Sequence, residues 1–90
     1  MHAGQGCAFT TRLLVPRDRY DEAVAAASAA MAGIGFGDPT DPATVCGPLI
    51  SARQRDRVQG YLRLALAEGG RFGCGGGRPA DRSSGFYIEP

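Results

Sequence analysis

The sequence predicts an α/β fold in which two helices alternate with short strands. Three observations carry this. Apolar residues recur at three- and four-residue steps in two stretches, Tyr20, Val24, Ala27, Met31 and Ile34, then Val58, Tyr61, Leu62, Ala65 and Leu66. Each set lines one side of a helix. Short apolar runs such as Arg12-Leu13-Leu14-Val15 and Phe86-Tyr87-Ile88 flank them, and glycine and proline punctuate the joins. Helix and strand in alternation is the pattern of an α/β layer.

Taken in order, residues 1–9 form a Gly-rich turn leading into a short segment, with Cys7 at the edge of helical structure. Residues 12–15 read as a strand closed by Pro16, which has no N–H to give a ladder. A helix over residues 20–32 follows, with Asp18 placed to cap it and Asp21 and Glu22 suited to the positive end of its dipole. Gly33, Gly35 and Gly37 end it. Pro39, Pro42 and Pro48 make residues 38–49 an irregular connector. Ser51-Ala52-Arg53-Gln54 fits a capping box at the head of a second helix, 52–68, stopped by Gly69-Gly70. Residues 71–74 read as a strand, 75–85 as a polar loop and 86–88 as a last strand. That strand runs into Glu89-Pro90 with nothing to close the layer. The wide apolar helix faces also exceed what three short strands can cover. The 90 residues are therefore expected to be an incomplete piece of a larger layer.

Composition narrows the function classes. Ninety residues make one small domain with modest burial. Ten basic and nine acidic residues give a net charge of +1, which is no footprint for nucleic acid or an anionic membrane. The longest apolar-rich stretch, residues 23–34, is too short to span a bilayer. Residues 1–6 lack the basic start and apolar run of a secretion signal. The three cysteines, at 7, 46 and 74, include no Cys-x-x-Cys pair. This argues against a disulfide framework or a zinc knuckle, so no metal is expected, and for reduced thiols in a cytoplasm.

The strongest local signal is His2-Ala3-Gly4-Gln5-Gly6-Cys7. Glycines at 4 and 6 allow a sharp turn and close approach of a ligand. A cysteine after such a turn, at a helix start, has its thiolate favoured by the helix dipole, as a nucleophile requires. The competing reading is a small buried thiol beside a glycine turn. Gly75-Gly76-Gly77 suggests a phosphate loop, but neither G-x-G-x-x-G nor a P-loop can be spelled there, because Arg78 stands where a glycine is needed. Cys46 and Cys74 read as partly buried bystanders.

Gly4-Gln5-Gly6-Cys7 followed by Thr11-Arg12-Leu13-Leu14-Val15 resembles the active-site cysteine segment of the NAD(P)-dependent aldehyde dehydrogenases. The rest of the chain stays in step: Gly37-Asp38-Pro39, Gly47-Pro48-Leu49-Ile50, Gln54, Tyr61, Glu68-Gly69, and Gly85-Phe86-Tyr87-Ile88-Glu89-Pro90. The resemblance covers essentially the whole chain and implies a fragment, residues 1–90, of the family's catalytic domain. The cofactor-binding domain and both ends of the catalytic domain would lie outside it. It implies that Cys7 is the nucleophile. Its thiolate adds to an aldehyde, the thiohemiacetal gives hydride to the nicotinamide of NAD or NADP, and the resulting thioester is hydrolysed to a carboxylic acid. The Cys7 amide would be one of two oxyanion donors. The asparagine that supplies the other, and the general-base glutamate, would lie upstream of Met1. The family usually has asparagine where this chain has His2, and His2 is open to reading as a second base or as a packed or exposed histidine.

The resemblance also implies that Gln54 and Arg57 contact the nicotinamide-side ribose. Three residues apart, they share a helix face. The alternatives are the capping box for Gln54 and a solvated charge for Arg57, and both stay open. The implied partners are a small aldehyde and, in the full-length enzyme, further copies of itself. The isolated fragment is expected to be inactive. Two other functions stand beside this one: a truncated, non-catalytic remnant or interaction module, and a free-standing reactive thiol, which would need a resolving cysteine or activating neighbours.

Overall fold

The computed structural model describes residues 2–90, so the Gly-rich turn expected over residues 1–9 is seen from His2 onward. Helix α1 spans Tyr20–Ala32 behind a 3-10 turn, Arg17–Arg19, and helix α2 spans Ala52–Ala67. Both lie where the apolar spacing puts them.

The entrance to α1 differs from expectation. Asp18 sits inside the 3-10 turn, and Arg19 occupies the N-cap without a side-chain capping bond. Pro16 has the φ of a turn start, and its carbonyl accepts the Arg19 N–H at 3.0 Å. The chain thus tightens into the helix without a capping carboxylate. Glu22 takes the Arg19 guanidinium instead, at 2.6 and 2.8 Å. That bond raises the arginine pKa and lowers the glutamate pKa, with both side chains exposed.

At the head of α2, Ser51 is extended and its Oγ accepts the Gln54 N–H at 3.2 Å, which is half of the predicted capping box. The reciprocal bond from the Gln54 side chain is absent among the described residues. At the other end Gly69 has φ +88°. Its N–H reaches Leu66 O at 3.0 Å, and the Gly70 N–H reaches Ala65 O at 2.8 Å. This is a Schellman closure, in which glycine supplies the left-handed residue.

The strands expected at 12–15, 71–74 and 86–88 do not form. Among the described residues the only β pairing is an isolated parallel bridge between Phe36 and Cys46. An extended segment becomes a strand only when a neighbour pairs its backbone groups, and residues 12–14 lie open, with Leu14 86% exposed. Residues 86–89 come nearest to a strand. Phe86 O accepts the Leu49 N–H at 3.0 Å, and the Glu89 N–H reaches Gly77 O at 2.9 Å.

The buried apolar side chains among the described residues are Cys46 and Leu49. They sit where the connector meets the segment after α1, held by Gly37 N–H to Cys46 O and Cys46 N–H to Gly35 O, both 3.0 Å. The two helices do not touch each other. Tyr20, Val24 and Met31 on α1 and Tyr61 and Leu66 on α2 are exposed, contrary to the burial their spacing suggests. Amphipathic spacing marks which side of a helix suits a core, but a second layer must be present to cover it. No helix among the described residues is long and apolar enough to cross a membrane.

Candidate functional site

The loop that carries Cys7 is built from two consecutive turns. In the first, the Gln5 N–H bonds His2 O at 2.9 Å. Its central residues, Ala3 and Gly4, have φ of +51° and +74°, so both are left-handed, as in a type I′ turn. In the second, the Phe9 N–H approaches Gly6 O at 3.4 Å, with Cys7 and Ala8 between. Gly6 leaves room for the Phe9 ring: a Cβ there would stand 2.5 Å from Phe9 Cε2 and push that exposed ring aside. No helix begins at this turn, so the expected dipole support for a Cys7 thiolate is not present among the described residues.

Cys7 is exposed and unpaired to another cysteine, whereas Cys46 is buried and Cys74 half-buried. In this chain Cys7 therefore does not pack as the small buried thiol of the competing reading. Neither turn uses its amide N–H, which leaves that donor available to an oxyanion. His2 is also exposed. Its carbonyl serves the turn, and no hydrogen bond among the described residues joins its imidazole to Cys7.

Gln5 extends the loop toward the rest of the site. Its Nε2 donates to His2 O at 2.9 Å, and its Oε1 accepts the Ile50 N–H at 3.2 Å. Ile50 directly precedes Ser51, the N-cap of α2. His2 and Gln5 line a shallow cleft of about 320 Å3 with Pro39, Thr44, Gly47 and Pro48 of the connector. Cys7 is not on its wall.

On α2, Gln54 is half-buried and Arg57 exposed, one helical turn apart on a shared face. The cap uses the Gln54 backbone N–H, not its side-chain amide. The Arg57 guanidinium lies 6.0 Å from the Tyr61 ring centre, an exposed contact that holds the side chain loosely. One amide and one cation together offer hydrogen-bond donors on that face, which suit hydroxyl or other oxygen acceptors. The structure thus brings the cysteine loop to the head of the helix that bears Gln54 and Arg57.

Two contributors escape a reading of the sequence. Gln5 lies within the quoted motif, but its bond to a residue 45 positions away leaves no local signature. Arg82, in the polar loop, has its guanidinium 5.4 Å from the Phe36 ring and 5.3 Å from the Tyr87 ring. Nothing in the spacing around it signals that role.

The sequence model of the aldehyde dehydrogenase family matches residues 1–90. The geranial dehydrogenase of Castellaniella defragrans is 42% identical over 90 residues, which are all of this chain and 18% of that protein. A crystal structure of a Mycobacterium tuberculosis aldehyde dehydrogenase complexed with NAD+ superposes with a TM-score of 0.93 at 52% identity, over 98% of this chain and 18% of that one. A cysteine-to-alanine variant of aldehyde dehydrogenase C from Pseudomonas syringae, in complex with NAD+ and octanal, superposes at 0.92 with 38% identity, over 98% of this chain and 18% of that one. The chain therefore spans about a fifth of the length of these relatives, 18% in each case. With the family match running the full length and the fold repeated in solved members at substantial identity, this chain belongs to the aldehyde dehydrogenase family.

Proposed function

We propose that this chain supplies the nucleophile for NAD(P)-dependent oxidation of an aldehyde to a carboxylic acid in a full-length, cytoplasmic, self-associating enzyme. The observation that carries the reading is Cys7: an exposed thiol on a two-turn loop whose own amide is left out of the turn bonds. The relatives named above support the substrate class, one being a geranial dehydrogenase and another holding NAD+ with octanal after a cysteine was replaced.

The chain's part of the chemistry follows from ordinary thiol reactivity. The Cys7 thiolate forms a bond to the carbonyl carbon, and the former carbonyl oxygen carries the developing charge beside the Cys7 amide N–H. NAD(P), contacted in part by Gln54 and Arg57, would supply the hydride acceptor. After oxidation Cys7 Sγ holds the acyl group as a thioester. Water then releases the acid, breaking the C–S bond and returning the thiol. Taken alone, the 90 residues are expected to leave NAD(P) unreduced. The general base and the second oxyanion donor are expected from other segments.

The test is a quench. The full-length enzyme is mixed with aldehyde and NAD+, stopped in acid and digested, and peptides are read by mass spectrometry. An acyl mass on the Cys7 peptide is expected. Acylation confined to the Cys46 or Cys74 peptide, or none under turnover, would refute the assignment.

A further inference from the structure

We infer that Gln5 is a positioning residue that keeps the Cys7 loop in register with the head of α2. Its side-chain amide is engaged at both ends. Nε2 donates to His2 O at 2.9 Å, the same carbonyl that accepts the Gln5 backbone N–H at 2.9 Å, so the amide plane is fixed against its own turn. Oε1 then meets the Ile50 N–H at 3.2 Å. Ile50 is anchored on both sides in sequence. The Leu49 N–H bonds Phe86 O at 3.0 Å, and Ser51 caps α2 through Gln54 N–H at 3.2 Å. Leu49 is also one of the buried apolar residues, so the acceptor meets a held backbone and not a loose one.

One residue, Gly6, separates Gln5 from Cys7, and one, Ser51, separates Ile50 from the first residue of α2. A shift of the helix head when a ligand engages Gln54 and Arg57 reaches the nucleophile through this bond. The chemistry of the tie is specific. A carboxylate oxygen can accept the Ile50 N–H as an amide oxygen does, whereas an apolar side chain of the same size cannot. The inference rests on the roles proposed above for Cys7, Gln54 and Arg57.

The experiment uses the full-length enzyme with Gln5→Leu and Gln5→Glu. Two quantities are read: the iodoacetamide labelling rate of Cys7 with and without NAD+, and amide hydrogen exchange at Ile50 without cofactor. In Gln5→Leu, the NAD+-dependent change in labelling should shrink about three- to tenfold, and Ile50 exchange should quicken by a similar factor. The Kd for NAD+ should move less than about twofold, which separates positioning from general loosening of the fold. Gln5→Glu keeps the acceptor for the Ile50 N–H but loses the donor to His2 O, so it should restore both readouts in part, closer to the unsubstituted enzyme than Gln5→Leu. Full coupling with Ile50 still protected in Gln5→Leu would overturn the inference, as would equal loss in both variants. If Cys7 labelling in the unsubstituted enzyme ignores NAD+, the functional reading fails. Ile50 exchange then decides the tie alone: fast in Gln5→Leu and slow in Gln5→Glu upholds it, and equal rates end it.

Discussion

The Arg82 guanidinium lies 5.3 Å from the centre of the Tyr87 ring, and that pairing closes the end of the chain onto the segment after α1. Phe36 completes a triangle, 5.4 Å from the cation and 6.5 Å from the Tyr87 ring. Arg82 Nη2 donates to Phe36 O at 3.2 Å, and the Tyr87 hydroxyl donates to Gly37 O at 3.0 Å. Planar Arg82 meets the rings and the carbonyl together, which a lysine ammonium cannot do. Arg82→Lys is therefore expected to speed amide exchange at Gly37 and Cys46 by about tenfold, the loss of roughly 1.4 kcal/mol of local protection. Exchange measured residue by residue in the full-length enzyme checks this. Unchanged rates would mean that the charge alone holds the cluster.

Ala3 offers a second test. It has φ +51°, a left-handed conformation that a Cβ-bearing residue adopts at a cost of roughly 1–2 kcal/mol. Ala3→Gly removes that cost but frees the unfolded chain, so the net gain should be about 0.5–1 kcal/mol. Gly4, at φ +74°, should show the reverse sign on Gly4→Ala. The transition midpoint of the full-length enzyme and its two variants gives the order directly. Stabilisation by Gly4→Ala would contradict the turn geometry.

The helices were legible because their evidence is local. Stripe spacing, Ser51 and the Gly69-Gly70 stop each act within a turn or two, and each appears in the structure. The failures share a physical cause. Arg12-Leu13-Leu14-Val15 has the composition of a strand, but a ladder needs a partner, and Leu13 and Leu14 lie open. Asp18 has the chemistry of a cap, but Pro16 directs the chain into a 3-10 turn first. At the site, the sharp turn before Cys7 was legible from its glycines, although the helix expected there is absent among the described residues. The Gln5 bond to Ile50 was not legible, because a contact across 45 residues follows from the fold and not from any local pattern.

The connector carries its own pH dependence. Asp38 Oδ1 accepts the Thr40 N–H at 2.8 Å and the Thr40 hydroxyl at 2.7 Å. Those bonds, the backbone one foremost, hold its carboxyl below the ordinary aspartate range. Arg82 adds to the shift and desolvation opposes it. Because the folded pKa is depressed, the stabilising contribution is complete above the unfolded value of about 3.9 and is lost as pH falls through the folded value. Asp38→Asn keeps an acceptor oxygen but removes the titration. The Thr40 amide should lose protection below about pH 4 in the unsubstituted protein and stay level in Asp38→Asn. Parallel profiles would show that another group is responsible.

The three thiols separate function from packing. Cys7→Ala should lower turnover by more than about 10⁴-fold, since loss of a nucleophile removes the covalent step itself. Gly6 and Ala8 have nothing to substitute for it, and the hydroxyls of Thr10 and Thr11 are far weaker nucleophiles at neutral pH. NAD+ affinity should stay nearly intact, because Cys7 is exposed on its own loop and Gln54 and Arg57 are on α2. Cys46 is 7% exposed at the centre of the small core, so Cys46→Ala should cost about 1 kcal/mol of stability while turnover at low temperature stays near normal. Cys74 is half-buried, and Cys74→Ala should change neither quantity much. The comparison needs steady-state rates, cofactor affinity by fluorescence quenching and thermal midpoints for all three variants. Near-normal turnover in Cys7→Ala would remove the nucleophile assignment. Loss of turnover in a well-folded Cys46→Ala or Cys74→Ala enzyme would move it to another sulfur.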